Sequence, residues 1–552
     1  MILCKRVMLV CQKSCTFAAV FVVKRIFMKK IFKILPLVAV SLVLFACKER
    51  NTPSEDPGST GNGQEIDIDS DDVDDKVWSD TLYIAWSGSS AAVTGTIDSI
   101  SVTNSNGYVT VNSSVSRQIV YMLSGSGSGQ LTIYGSFRHN LTLNGLTLTC
   151  PDGPAINNQC HKKCYVVING TNTLTDGTTY SASDEDRKAA LFSEGQLIFS
   201  GAGTLSVTGN YKHAIASDDY IHITEGAGTF TLSAASDGLH ANDGVYIKGG
   251  TLTVNAGNDG VQCDSVILIS GGSLDITAAD KGIVDSLGIT VSGGSIRVTS
   301  KYKCIKTKAD LLISGGDIQV VCTGVSSGGG KGWGGGSSSS SSPEGIEAKG
   351  SITISGGCVY SQSADDAINA GGDLTISGGC VCAYSTGNDG IDSNGDCYIK
   401  GGVVYAIGAS SPEMGIDANT EGGKRLYVQG GILVALGGLE NGAELSQSCW
   451  SAGSWSRNTW YALTVGSDVF AFLTPANGST ALVVSGSSAP ALMSGVTASG
   501  TSIFNGMGFY PASVSGGSAV SLSSYSGGNQ GGFGGEQGGN PGGGGRGGRG
   551  GR

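Results

Sequence analysis

The stretch IKGGTLTV (residues 247–254) returns as ISGGSLDI (269–276), VSGGSIRV (291–298) and ISGGDIQV (313–320), each time 22 residues further on. After a gap of 41 the Gly-Gly pair reappears at Gly356-Gly357, Gly378-Gly379, Gly401-Gly402 and Gly430-Gly431, at intervals of 22, 23 and 29. A period in this range marks a solenoid, whose repeats bury their apolar faces only against neighbouring repeats. An aliphatic residue stands two positions before each pair, and another follows it closely, as Leu252, Leu274 and Ile296 do. A third stands ten positions before it: Leu239, Val261, Ile283, Ile305, Ile346, Ile368 and Ile391, with Ile416 fourteen before the last pair. The alternation of Leu252-Thr253-Val254 has the period of a strand and not of a helix. Glycine supplies the corners and β-branched residues fill the strands between them. The pattern therefore predicts an all-β chain, a parallel β-helix with three short strands and about 22 residues per coil. Collagen would need glycine at every third residue, and leucine-rich repeats their leucine and asparagine ladder. Neither is present.

Outside the array the chain changes character. Met28-Lys29-Lys30, the apolar run from Ile34 to Phe45 and Ala46-Cys47 resemble a bacterial lipoprotein signal. Residues 1–47 then comprise an upstream extension and a signal peptide, with Cys47 as the lipidated residue. The expected address is the outer membrane or cell surface, reached through a lipid anchor. Residues 48–77, rich in Pro, Ser, Gly and Asp, read as a disordered acidic tether. The β-helix is expected over 78–440. A small C-terminal β cap is expected over 441–526, where Trp450, Trp455 and Trp460 fall five apart, and a Gly/Arg-rich tail over 527–552. The net charge of −11 argues against nucleic acid and fits a cation-binding surface. Cys358 and Cys380 occupy equivalent positions in adjacent coils, as a disulfide or as stacked thiols.

The repeat also serves as a ruler for charge. Two residues before the third aliphatic, one column reads Asp237, Asp259, Lys281, Lys303, Glu344, Asp366, Asp389, Met414. One residue after it, a second reads His240, Gln262, Val284, Lys306, Glu347, Asn369, Asp392, Asp417. Both are expected to face outward. Like charges stacked ~5 Å apart repel, and a bound cation removes that cost. Calcium suits carboxylates from consecutive coils, because it takes six to eight oxygen ligands in flexible geometry. The candidate ligands are Glu344, Glu347, Asp366, Asp389 and Asp392, with Asp237 and Asp259 as a second group. For any single Asp the competing reading is corner chemistry, since Asp-Gly turns well. The lysines Lys281, Lys303 and Lys306 are candidates for meeting carboxylates of an acidic polymer. Trp333, in a Gly/Ser-rich insertion from Thr323 to Pro343, is a candidate for stacking on a sugar ring.

Residues from about 80 to 440 resemble a carbohydrate-binding family of right-handed parallel β-helices related in form to pectate lyases. The resemblance lies in Asn172-Thr173-Leu174-Thr175-Asp176-Gly177, Lys188 to Gly195, Gly201-Ala202-Gly203-Thr204-Leu205 and Tyr211-Lys212-His213-Ala214-Ile215. The Asp-Gly corners at Asp237, Asp259 and Asp389 complete it. It implies a right-handed helix that binds cellulose or pectic polygalacturonate, and calcium at those three corners. Lysine replaces the corner acid at Lys281 and Lys303. The expected function is thus a tethered, monomeric, calcium-dependent polysaccharide binder. A polysaccharide lyase working by β-elimination, with Lys281, Lys303 or Lys306 as base, is the alternative, and an adhesive scaffold is the third.

Overall fold

The structure, a computed structural model, describes Asp71 and residues 76–325, 342–410, 413–477 and 481–527. Short alternating runs interrupted by glycine corners permit strands of only three to six residues in the repeats. One coil carries Lys303–Thr307, Leu311–Ile313 and Asp317–Cys322. The next carries Ile346–Ala348, Ile352–Ile354 and Cys358–Ser363. The first strand of each set joins a 13-stranded sheet, and the other two build the walls of a 30-stranded one. The result is an all-β parallel solenoid of about 12 turns.

The aliphatic ladder forms as the spacing predicts. Leu239 pairs with Val261, Val261 with Ile283, Ile283 with Ile305, Ile305 with Ile346, Ile346 with Ile368, and Ile368 with Ile391. Parallel bridges carry it on through Ile416 to Leu439. All of these side chains are buried, and each contributes ~1.5–3 kcal/mol relative to exposure.

The second glycine of every pair lies at φ between 75° and 93°, a left-handed conformation that a Cβ disfavours by ~1–2 kcal/mol. At Gly379 (φ 76°) a Cβ would also sit 2.5 Å from the carbonyl oxygen of Gly357. Gly379→Ala is therefore expected to destabilise the array by more than the ~1–2 kcal/mol of the backbone term alone. Urea unfolding measures this, and an unchanged midpoint would show that the corner relaxes freely.

Both ends of the array are covered by antiparallel pairs. Ile100–Ser105 and Tyr108–Ser113 form a hairpin at the start. Leu482–Ser485 runs antiparallel to Ile432–Leu436 at the other end. Trp460–Val465, Asp468–Leu473, Ala491–Ile503 and Gly508–Val520 close a four-stranded barrel. Its Phe470 and Phe472 pack with Tyr360, Tyr405 and Val434 in one apolar cluster, so the barrel lies along a wall of the last coils. The three tryptophans do not form a row. Trp450 and Trp455 pack against that cluster, while Trp460 faces Phe509 at 5.1 Å.

Asp71, within the stretch read as a tether, is buried against the solenoid, where Lys163 (2.7 Å), Tyr220 (2.9 Å) and His222 (2.9 Å) engage its carboxylate. Cys358 and Cys380 stand opposite each other in register as free thiols. Cys47 and Trp333 lie outside the described residues.

Candidate functional site

On the 13-stranded sheet the two charged columns are real, but they do not project into water as the ruler implied. Asp237, Asp259, Lys303, Glu344, Glu347, Asp366 and Asp389 are all buried. The cause is local. Each corner carboxylate folds along the axis and accepts the backbone N–H of the coil that follows. Oδ1 of Asp237 takes the N–H of Asp259 (3.1 Å), Asp259 that of Lys281 (3.0 Å), and Asp366 that of Asp389 (3.2 Å). Asp389 does the same for Met414. The acid thus satisfies an amide that a Gly-containing corner leaves without a partner of its own.

Along the axis the face divides into four stretches. At its start Asp237 Oδ2 lies 3.1 Å from His213 Nδ1 and 3.0 Å from His240 Nδ1. Burial alone would raise the Asp237 carboxyl, but the two imidazoles outweigh it and hold it well below the usual range. In the second stretch Asp259 lies 3.5 Å from Lys281 Nζ, which also pairs with Asp280. Burial pushes Asp259 up to about 6. Lys281 is raised in turn, because its carboxylates outweigh its own burial.

The third stretch is a buried ion cluster. Lys303 Nζ reaches Glu344 Oε2 at 2.8 Å and Glu347 Oε2 at 3.2 Å, Lys306 reaches Glu347 at 3.4 Å, and Lys349 closes on Glu347 from the rim. Burial and the neighbouring Glu347 charge raise Glu344. For Glu347 burial acts in the same sense, but three lysines prevail and lower it. Four residues read as calcium ligands, Asp237, Asp259, Glu344 and Glu347, therefore lie beside imidazoles or ammonium groups. Of the three lysines read as glycan contacts, Lys303 is enclosed, and Lys306 and Lys281 are partly exposed.

The fourth stretch is acidic: Asp366, Asp389 and Asp392, followed by Asp417 and Glu440. Among the described residues no lysine or arginine pairs with Asp366 or Asp389. Burial and the charges of Asp392, Asp365 and Asp389 push Asp366 up to about 9. Burial with Asp417 and Glu413 takes Asp389 to about 7, and burial with Asp417 takes Glu440 to about 8. These carboxylates offer oxygen donors alone, the donor type that calcium takes, although among the described residues no three of them bring their oxygens within 4.8 Å of one another.

Sequence reasoning missed three participants. Glu440 lies one coil past Asp417, beyond the point where the Gly-Gly ruler stops. Lys349 belongs to neither column. His213 stands one coil before Asp237, since Ile215 pairs with Leu239; counting one coil back along the ladder finds it.

A family model described as "Carbohydrate-binding domain-containing protein" matches residues 105–296 and 284–390. Among solved structures, the chain is similar to the polysaccharide lyase-like protein from C. thermocellum, a gadolinium derivative, at 22% identity and a TM-score of 0.32. That match covers 45% of this chain and 98% of the other. No curated protein matches the chain.

Proposed function

The chain belongs to the family of carbohydrate-binding domain-containing proteins, whose model spans more than half of its 552 residues, and we propose that it binds an acidic polysaccharide on the face of the 13-stranded sheet. The observation that carries this reading is the break in charge compensation along that face. Asp259, Glu344 and Glu347 each have a lysine within 3.5 Å, whereas among the described residues no lysine or arginine pairs with Asp366 or Asp389, which other carboxylates neighbour. Asp366, Asp389 and Asp392, with Asp417 and Glu440, are the residues that would hold calcium. When bound, the ion supplies positive charge to this stretch and coordination positions for uronate or hydroxyl oxygens of a glycan. Lys306 and Lys349, at the outer rim of the ion cluster, offer ammonium groups to a polyanion lying along the same axis. Polygalacturonate is the ligand class this alternation suits best, and cellulose-like chains are the neutral alternative. A lipid anchor at Cys47 and a place at the cell surface belong to the same proposal.

Binding is favoured over β-elimination by the state of the lysines. A base for the proton α to a uronate carboxylate must shed its own proton near neutral pH. Lys281 is instead raised by its carboxylates, and Lys303 is held between Glu344 and Glu347.

Electrophoresis in gels containing polygalacturonate tests the reading. Calcium is expected to retard the protein and a chelator to release it. The pair Asp392→Asn and Asp417→Asn is expected to weaken retardation about tenfold or more, as lost charged ligands do at such sites. Retardation unchanged by chelator would remove calcium from the account. Appearance of an unsaturated product absorbing in the ultraviolet would replace binding with cleavage.

A further inference from the structure

The first stretch of the face has a chemistry of its own. Among the described residues, His213, Asp237 and His240 are the one group of three or more ligating side chains whose donor atoms lie within 4.8 Å of one another. The two imidazole rings stack at 4.1 Å and 20°, and both present Nδ1 to the same oxygen, Asp237 Oδ2. The other carboxylate oxygen is fully engaged. Oδ1 accepts from Asn258 Nδ2 (2.8 Å), the Asp259 N–H (3.1 Å) and Ser236 Oγ (3.2 Å). The carboxylate is thus held by its back edge and offers its front edge to two nitrogens. Metal sites use such outer partners to fix a ligand's orientation.

No protonation of His213 satisfies all its neighbours. The Asp237 N–H donates to His213 Nδ1 at 3.3 Å, which requires a lone pair there. That lone pair then faces Asp237 Oδ2 at 3.1 Å, oxygen against nitrogen with no proton between. In this tautomer Nε2 carries the proton, and Nε2 is buried without a partner. Moving the proton to Nδ1 satisfies Oδ2 but turns two N–H groups against each other. A cation shared by the nitrogens and Oδ2 removes the conflict with the carboxylate oxygen.

We propose that His213, Asp237 and His240 bind a divalent transition metal ion of the zinc class. Two imidazole nitrogens and one carboxylate oxygen are a donor set for zinc and its neighbours, whereas calcium takes oxygen. Tetrahedral zinc with ligands at ~2.0–2.1 Å separates them by about 3.3 Å, so the two N···O distances of 3.0 and 3.1 Å need to open only slightly. Three protein ligands leave a fourth position for water or another ligand. The site stands apart from the acidic stretch and from the calcium reading, and either is able to fail alone.

Cobalt(II) added to the metal-free full chain is the probe. Stoichiometric binding with visible bands of a four-coordinate site, displaced by zinc and untouched by calcium, is the expected result. His240→Ala should lower cobalt affinity by roughly 100-fold or more. Asn258→Ala, which removes one of the three hydrogen bonds to Oδ1 without removing a ligand, should lower it by ~10–100-fold. His240 is partly exposed, so both variants are expected to keep the near-ultraviolet circular dichroism of the parent. Should His240→Ala fail to fold, His240→Gln and Asn258→Ala decide. Absence of cobalt binding, or an affinity in the His240 and Asn258 variants equal to that of the parent, overturns the proposal.

Discussion

Lys303→Ala is expected to lower the stability of the solenoid by ~3–5 kcal/mol, because it strands the buried Glu344 carboxylate and takes from Glu347 one of its three lysines. Lys303 Nζ lies 2.8 Å from Glu344, 3.2 Å from Glu347 and 3.1 Å from Ser342 Oγ, and both acids are buried with it. An exposed pair of similar length, Arg117 with Asp80 at 2.8 Å, is the internal control. Water screens that pair, so Arg117→Ala should cost about 0–1 kcal/mol. Burial rather than distance sets the difference. Urea unfolding of both variants, with and without 1 M salt, measures it: salt should shrink the Arg117 effect and leave the Lys303 effect largely intact. Combining Lys303→Met with Glu344→Gln and Glu347→Gln removes the stranded charges and should recover most of the loss. A Lys303→Ala penalty no larger than that of Arg117→Ala would show that water reaches the cluster.

The fate of Lys303 illustrates what spacing can and cannot disclose. A 22-residue ruler gives register, and register in a parallel sheet is reliable because a slip of one residue would turn every aliphatic outward. Hence Leu239 to Ile416 fell into one ladder, and Asp237 to Asp389 into one column. Depth is another matter. Whether a corner acid points into water or folds back depends on the amide it finds in the following coil, and Asp259 finds that of Lys281. Nothing in the repeat unit encodes this. The columns already set Glu344 after Lys303 and Glu347 after Lys306, and the pairing of Ile346 with Ile305 bears that out, but the same limit hid that these side chains turn inward and pair as a buried ion cluster. Glu440 was lost where the Gly-Gly marker ends, although the aliphatic Leu439 continues the ladder. The barrel of the C-terminal region was legible only as β structure, since its strands carry no repeat.

Raising the pH is expected to weaken the fold through the acidic stretch, and calcium to restore it. Asp366, which faces Asp365, Asp389, Asp392 and Glu344, has its carboxyl pushed up to about 9 by burial and by those charges. Asp389 reaches about 7. In the unfolded chain both ionise near 3.9. Between that value and the folded one the native state binds more protons than the unfolded state, so stability falls as pH rises. The loss begins near pH 4, continues to about 9 for Asp366 and ends near 7 for Asp389. Five units at ~1.4 kcal/mol each set a ceiling of ~7 kcal/mol for Asp366. Its neighbours share the repulsion, so Asp366→Asn is expected to recover about half, ~3 kcal/mol at pH 9. The amide keeps an oxygen for the N–H of Asp389, so the corner remains capped. Urea midpoints at pH 5, 7 and 9 should fall steadily in the parent and less steeply in Asp366→Asn. Millimolar calcium should flatten the parent curve by neutralising the same carboxylates, in the sense that any ligand of the native state stabilises it. A parent curve that calcium leaves unchanged would separate the two claims: the charge crowding would stand on the Asp366→Asn result, and the ion would have no place among these carboxylates.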